Sequence, residues 1–345
     1  AAWNGNLVEV NRLLKSGANV NTRDNFGWTP LMYAVSYGHG RRAVQESVYF
    51  QIAQLLLSRG ADIHVIGNKY TAFTLCAKFA NSAMLRVLAA KGAKMNITHP
   101  EVNYSAVMWA AARNNYYALE TLVALGADVK GKGVCGNNAL HLACKLQNSA
   151  KIVDLLLKIR DGIDINERNN EGDTGLILAV KNGNSSVVQL LIKKRADVNA
   201  KNSKGETALM HASYANNQNT EEHVKIVRLL LNTFPDINIQ DNSGRSALFW
   251  ATGLKIVQLL TARDNGARVE LQDKTGKTAL IRAVEFNLVP ILKYLISFRA
   301  DVNATDYSGR SALDYALDRP ANLYNREVVD ILKRAGAKRG REIGR

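Results

Sequence analysis

Cysteine is scarce: the 345-residue chain holds three, Cys76, Cys135 and Cys144. An odd trio is too small for a disulfide framework and points to a reducing compartment. Five prolines and 25 glycines exclude collagen-like and proline-rich chains. Long apolar runs are lacking as well. The longest, Tyr104 to Ala112, ends at Arg113, short of the ~18–20 residues that cross a bilayer. Enzyme signatures are missing: no phosphate-binding loop, no G-x-G-x-x-G following a strand, no G-x-S-x-G and no H-E-x-x-H. The six histidines are scattered. No catalytic residue, metal site or cofactor is therefore expected. With 47% apolar and 22% charged residues the chain is expected to fold. It opens at Ala1 inside a helical pattern, with neither Met nor a charged-then-apolar leader, so native sequence upstream of Ala1 is expected.

Charge is present in excess, and unevenly. The net charge is +15. Residues 1–100 carry +7, 101–200 carry +2, 201–330 carry +1 and the last fifteen carry +5. Basicity of this size invites a nucleic-acid or anionic-membrane reading. Its confinement to the two ends argues against an extended nucleic-acid track.

At about 150 residues per domain, the length suggests two or three globules. Internal repetition overrides that expectation. SGANVN (16–21), RGADIH (59–64), LGADVK (125–130) and RADVN (195–199 and 299–303) are versions of one string. Each precedes a polar segment with Gly, then Ser or Thr, then an apolar pair: DNFGWTPL (24–31), NSKGETAL (202–209), DNSGRSAL (241–248), DKTGKTAL (273–280) and DYSGRSAL (306–313). The Asp/Asn-x-x-Gly portion predicts a turn, because the side chain bonds its own backbone and Gly accepts positive φ. The next residue predicts a helix N-cap: Thr29, Thr71, Ser105, Asn138, Thr174, Thr207, Ser246, Thr278 and Ser311. Pro30 suits the first helical position. Small residues (Ala110, Ala111, Ala143, Ala179, Ala212, Ala283) let first helices approach closely. A second helix carries an apolar stripe such as Val187, Val188, Leu190 and Leu191. Gly-Ala then ends it.

The period of about 33 residues and these motifs resemble the ankyrin repeat over residues 1–338. The resemblance implies an all-α repeat solenoid: helix–turn–helix units with β-hairpin fingers, in a curved stack with a concave binding face. One domain is expected over 1–338, with a partial first repeat (1–21), internal repeats (22–305) and a more polar C-terminal cap (306–338). Residues 339–345 form a basic tail. Within the pattern, His141 is expected to bond backbone between repeats, with His211 alike. Cys76 and Cys144 are expected in the core. Asn21, Asn96, Asn166, Asn199, Asn238 and Asn303 are expected as turn residues.

Departures from the period are informative. Repeats lengthen around Gly38–Gln51, Asn216–His223 and Arg319–Asn325, and by one residue in the fourth repeat. These insertions are surface loops or secondary contact surfaces. The repeat at 241–266 is three residues short between Ser246 and Val257. Either it is distorted or residues are absent from the chain there; the second reading is preferred.

Ankyrin resemblance places partner contacts on finger tips and first helices. All four tryptophans fall on such positions (Trp3, Trp28, Trp109, Trp250), joined by Phe26, Tyr33, Tyr37, Phe79, Tyr214, Phe286, Tyr307 and Tyr315. Trp109 and Trp250 also suit packing, since leucines occupy that position elsewhere. Arg113, Lys145, Lys181, Arg245, Lys274, Lys277, Arg282 and Arg310 share the face. The partner-binding set is Trp3, Phe26, Trp28, Tyr33, Tyr37, Trp109, Arg113, Tyr214, Arg245, Trp250, Lys277, Arg282 and Arg310. Aromatic plus Arg enrichment is the composition of interface hot spots. The resulting reading is a non-catalytic, intracellular, monomeric protein–protein scaffold with a protein partner, acidic near one end. The alternatives are an anionic ligand (nucleic acid or a phosphorylated small molecule), or the recognition arm of a larger enzyme, ligase adaptor or bacterial effector.

Overall fold

A computed structural model describes residues 1–37, 43–98, 101, 103–159, 162–214, 220–262, 265–318 and 323–343. The side chains of 37, 43–46, 220 and 323–325 are also outside the description. The expected insertions therefore lie partly outside it.

The chain forms two compact units, Ala1–Asn170 and Glu171–Arg345. The first holds α1 (Leu7–Lys15), α2 (Pro30–Tyr37), α3 (Ala43–Ser58), α4 (Ala72–Lys78), α5 (Ser82–Ala90), α6 (Ala106–Ala112), α7 (Tyr116–Ala124), α8 (Ala139–Cys144) and α9 (Ala150–Lys158). The second holds α10 (Gly175–Lys181), α11 (Ser185–Lys193), α12 (Ala208–Ser213), α13 (Thr220–Leu231), α14 (Ala247–Trp250), α15 (Leu254–Thr261), α16 (Ala279–Glu285), α17 (Val289–Ser297), α18 (Ala312–Leu317) and α19 (Leu323–Arg334). A 3₁₀ turn follows at Gly340–Glu342.

Each unit is a two-layer stack of helix pairs. In the first, α2, α4, α6 and α8 pack in succession, and α5, α7 and α9 form the other layer. In the second, the layers are α10, α12, α14, α16, α18 and α11, α13, α15, α17. First helices lie between neighbours on both sides, so six of the seven residues of α4 are buried. The small residues Ala110, Ala143, Ala179 and Ala212 are wholly inaccessible, which is what close helix approach requires. Second helices bury one stripe only, as Val187, Val188 and Leu191 do in α11. A lone pair would leave such a stripe wet; stacking removes it from water.

The predicted caps are all in place. Thr71, Ser105, Asn138, Thr174, Thr207, Ser246, Thr278 and Ser311 each accept the N–H three residues on. Thr29 accepts that of Met32 at 3.3 Å. Each such bond is worth about 1 kcal/mol. Several second helices close through a left-handed residue: Gly17, Gly60, Gly92, Gly126 and Gly336 have positive φ. Arg195 (φ 63), Phe234 (φ 54) and Arg299 (φ 64) take the same conformation without being glycine. The following alanine N–H then reaches back, Ala196 to Leu191 O and Ala300 to Leu295 O, both at 3.0 Å.

The fingers are turns. Among the described residues there are no strands, only isolated bridges at Gly67–Tyr70 and Thr305–Ser311. Five pairs of consecutive fingers are joined by a main-chain hydrogen bond. In the first unit Asn170 N–H donates to Cys135 O at 3.1 Å. In the second, Ser203 donates to Glu171, Asn242 to Lys204, Lys274 to Ser243 and Tyr307 to Thr275, at 2.8–3.0 Å.

The recurrent asparagines do more than shape turns. The Oδ1 atoms of Asn21, Asn96, Asn199, Asn238 and Asn303 accept the N–H of Asp62, Asp128, Asp236, Arg268 and Lys338 in the next repeat, at 2.8–3.1 Å. They clamp repeat to repeat, a role that local turn chemistry does not reveal.

The short repeat is carried by a first helix of one turn, Ala247–Trp250. The backbone turns extended at Ala251 and reaches α15 through Gly253. Thr252 N–H donates to Ser213 O of the preceding repeat at 3.3 Å.

Candidate functional site

Finger chemistry positions several of the expected site residues. In five fingers, Oδ1 of Asp24, Asn202, Asp241, Asp273 or Asp306 accepts the N–H groups two and four residues on. The residue four on stands just before the helix cap. Trp28, Arg245, Lys277 and Arg310 are thereby held at fixed places.

The second carboxylate oxygen aims an aromatic side chain nine residues on. Asp24 accepts from the Tyr33 hydroxyl, Asp241 from Trp250 Nε1 at 3.1 Å and Asp306 from the Tyr315 hydroxyl at 2.7 Å. The Tyr33 hydroxyl, foremost, holds the Asp24 carboxyl below its ordinary range.

The finger cations are paired with acids of their own repeat. Arg245 Nε donates to Asp241 at 2.8 Å, Lys277 Nζ to Glu285 at 2.8 Å and Arg310 to Asp318 at 2.6 Å. Lys181 donates to buried Asp173 at 2.6 Å. Lys181, Lys277 and Arg310 each find a partner eight residues away. That spacing was legible in the sequence, yet it joins a finger to the far end of a short helix rather than two positions of one helix. Aromatic rings cover the same cations: Arg245 lies 4.8 Å from the Trp250 ring and Arg310 lies 4.1 Å from the Tyr315 ring.

The structure brings Tyr214, Arg245, Trp250, Lys277 and Arg282 together. They line a cavity of about 270 Å³ in the second unit, with Phe249, Asp273, Glu285 and Phe286. Its origin is the short repeat. Neighbouring first helices run six or seven residues, whereas α14 stops after four. The absent turn leaves a gap between the end of α12 and the face of α16. Arg282 fills part of it, donating to the freed carbonyl of Ala251 at 3.0 Å and lying 5.0 Å from the Phe286 ring. Burial pulls the Arg282 guanidinium below the usual arginine range, with Arg245 adding to the effect. Tyr214 meets Trp250 edge-on at 6.1 Å, and Tyr214 and Phe286 stay 46% and 60% exposed.

Other expected residues lie apart from this pocket. Trp3, Trp28 and Tyr33 line a cavity of about 370 Å³ in the first unit, among Val10, Leu13, Leu14 and Pro30. Phe26 projects from its finger, 68% exposed. Trp28 leans on Tyr33 with ring centres 5.0 Å apart and is half-buried, so finger position alone does not leave it free. Trp109 is wedged between Tyr70 and Tyr104, 5.0 and 5.2 Å away, with Lys78 Nζ 5.2 Å from its ring. Packing accounts for most of its surface. Arg113 is exposed at the end of α6. The Tyr37 side chain lies outside the described residues.

His141 bonds backbone as expected, its Nε2 3.0 Å from Glu167 O. His211 differs: its Nε2 lies 3.1 Å from the Glu206 carboxylate, and burial, then Lys181, lower its pKa. Cys76 and Cys144 are buried, which raises both thiols, and Cys135 is exposed.

At the C-terminus, Arg339 Nε and the Gly340 N–H bond the Asp314 carboxylate at 2.8 and 2.6 Å. The start of the basic tail is thus docked on the last repeat. Among the described residues no cluster of His, Cys, Asp or Glu is placed to hold a metal ion. No described helix is long and apolar enough to cross a membrane.

Comparison with known proteins agrees with the repeat architecture. The family described as ankyrin repeats (3 copies) matches residues 1–99, 41–133, 107–202, 140–238, 176–273 and 252–341. Palmitoyltransferase AKR1 of Lachancea kluyveri is 31% identical over 115 residues, 33% of this chain and 16% of that protein. The human transient receptor potential cation channel subfamily A member 1 is 26% identical over 189 residues, 53% of this chain and 16% of the channel. Ankyrin repeat, SAM and basic leucine zipper domain-containing protein 1 of Dasypus novemcinctus is 29% identical over 133 residues, 37% of this chain and 26% of that protein. The chain thus spans between 16% and 26% of the length of these relatives. Among solved structures, the ankyrin repeat domain of Bcl-3 superposes with a TM-score of 0.55 at 26% identity, covering 68% of this chain and 98% of that one.

Proposed function

The chain belongs to the ankyrin-repeat family, and from that premise we propose that it is a non-catalytic scaffold that holds a protein partner on its finger tips and first helices. Ankyrin repeats are in general protein–protein interaction modules. The observation that carries the reading to particular residues is the convergence of Tyr214, Arg245, Trp250, Lys277 and Arg282 on one pocket. Aromatic and arginine side chains around a recess, with exposed aromatics at the rim, are the composition of an interface hot spot. Phe26 and the Trp3–Trp28–Tyr33 cavity form a second candidate contact in the first unit.

An extended nucleic-acid track needs a row of cations free to displace counterions from phosphates. Arg245, Lys277 and Arg310 are instead held by Asp241, Glu285 and Asp318, which favours a protein partner. An intracellular site of action goes with this reading, supported by the three free thiols, and the proposed scaffold is a monomer.

The test is partner capture with the double variant Tyr214→Ala, Phe286→Ala. Both side chains are exposed, so the melting temperature should hold while captured partner falls about tenfold or more. Undiminished capture by a folded double variant removes the pocket from the interface.

A further inference from the structure

We propose that the pocket left by the short repeat is a carboxylate seat, taking an Asp or Glu side chain of the partner onto the Arg282 guanidinium. This rests on the recognition reading above and adds the chemistry of what is recognised.

One guanidinium in the recess stands without an ion-pair contact among the described residues. Three cations line the recess. Arg245 is neutralised by Asp241 and Lys277 by Glu285. Arg282 is anchored through one N–H to the Ala251 carbonyl, and among the described residues it has no carboxylate in ion-pair contact. Its neighbours are the faces of Phe249 and Phe286, 5.6 and 5.0 Å from the guanidinium carbon. A guanidinium is a planar fork of five donors that matches a carboxylate bidentately. Here the fork is fixed at one end, half-buried, and presented in a recess whose walls lower the local dielectric. An incoming carboxylate meets a pre-organised partner at little further ordering cost.

The remaining wall decides between anions. Asp273 also lines the recess, its Oδ1 occupied by donors from Thr275 and Lys277. Glu285 stands beside it. Two acids in the wall repel a phosphate dianion, and the charges of Arg245 and Lys277 that would offset this are already compensated by Asp241 and Glu285. A carboxylate carries half that charge, and its planar pair of acceptors matches the Arg282 fork. The volume, about 270 Å³, is below that of a drug-sized site and suits one inserted side chain. Trp250 and exposed Phe286 supply apolar surface for its methylene stem.

The test uses the whole chain and two fluorescein-labelled peptides, Glu-Glu-Tyr-Glu-Glu and Gln-Gln-Tyr-Gln-Gln, titrated by anisotropy at physiological salt. The glutamate peptide should bind about tenfold more tightly than the glutamine peptide or better. Arg282→Gln, which keeps a polar side chain but removes the guanidinium, should erase that preference. Arg334→Gln, an exposed cation on α19 outside the pocket lining, should keep it. Should Arg282→Gln melt early, the wild type reports alone, through a shift of the Arg282 Nε–H resonance that only the glutamate peptide produces. Equal affinity for the two peptides overturns the carboxylate seat, as does a preference that survives in folded Arg282→Gln. So does tighter binding of a phosphoserine counterpart, or no binding of either peptide at about 1 mM. Equal affinities that Y214A/F286A abolishes overturn the seat and leave the recognition surface standing. Partner capture that ignores Y214A/F286A overturns both.

Discussion

Trp250 Nε1 and Asp241 Oδ2 are 3.1 Å apart, and the same oxygen receives Arg245 Nε at 2.8 Å. One finger carboxylate therefore places an indole and a guanidinium on the same wall. Its other oxygen holds the finger turn itself. Asp241 is the link between how the repeat folds and what it presents.

Asp241→Asn separates those roles. Asparagine keeps an acceptor for the turn but sets amide donors against Trp250 and Arg245. A loss of about 1–2 kcal/mol is expected for a partly buried charged hydrogen bond. The urea midpoint should fall, with Trp250 fluorescence reporting a wetter indole. An unchanged midpoint would show that Arg245 and Trp250 need no carboxylate.

Arg299→Gly tests the left-handed turn. Arg299 sits at φ 64 where other repeats have glycine, a conformation costing an L-residue about 1–2 kcal/mol. Part of that gain is offset by the freer unfolded glycine chain. A net increase of about 0.5–1 kcal/mol in unfolding free energy is expected. Arg195→Gly should do the same, and a lower midpoint in both would contradict the strain argument.

Asn238→Ala removes a two-way clamp. Asn238 accepts from Arg268 N–H at 2.8 Å and donates to Gly266 O at 3.1 Å. About 1 kcal/mol should be lost, the bonds being exposed to water. Amide exchange should accelerate at Arg268, where a partner is gone, and stay unchanged at Ala300.

The Asp314 carboxylate gives the C-terminal segment a pH dependence. Burial pushes its pKa up, but the Gly340 N–H, the Arg339 guanidinium and Ser311 outweigh burial and bring it down to about 2. A depressed carboxyl contributes stability above its unfolded pKa, and this is lost as pH falls through the folded one. Docking of Gly340–Glu342 should thus hold at pH 5 and weaken between about pH 4 and 2. Asp314→Asn should release the segment at neutral pH, read as faster exchange of the Gly340 amide. Gly340→Ala should release it too, since a Cβ there would run into the Gly309 carbonyl oxygen.

What the sequence disclosed follows from the range of each interaction. Caps such as Ser246 and turns such as Asp241–Gly244 depend on residues within four positions, so their pattern is their mechanism. Arg195 and Arg299 were placed correctly because the turn recurs whether or not glycine fills it. The pairs Lys277–Glu285 and Arg310–Asp318 have no helical period to mark them, because each runs from a finger across a short helix to its far end. The Asn238 clamp needed the next repeat's backbone. The short span between Ser246 and Val257 is plain in the sequence, but that Arg282 of the following repeat fills the space it leaves is not. Burial of Trp28 and Trp109 depended on Tyr33, Tyr70 and Tyr104, whose approach only packing decides.

The finger stitches carry a consequence for variation. Ser203, Asn242, Lys274 and Tyr307 each give an amide N–H to the finger before, and the side chains of Asn202, Gln240, Asn242 and Gln272 add bonds of their own to neighbouring repeats. The amide part of this cohesion is indifferent to side-chain identity, proline excepted. Exposed tip residues such as Lys204 and Lys274 can therefore diversify, and a new specificity written at those positions leaves both sets of bonds in place.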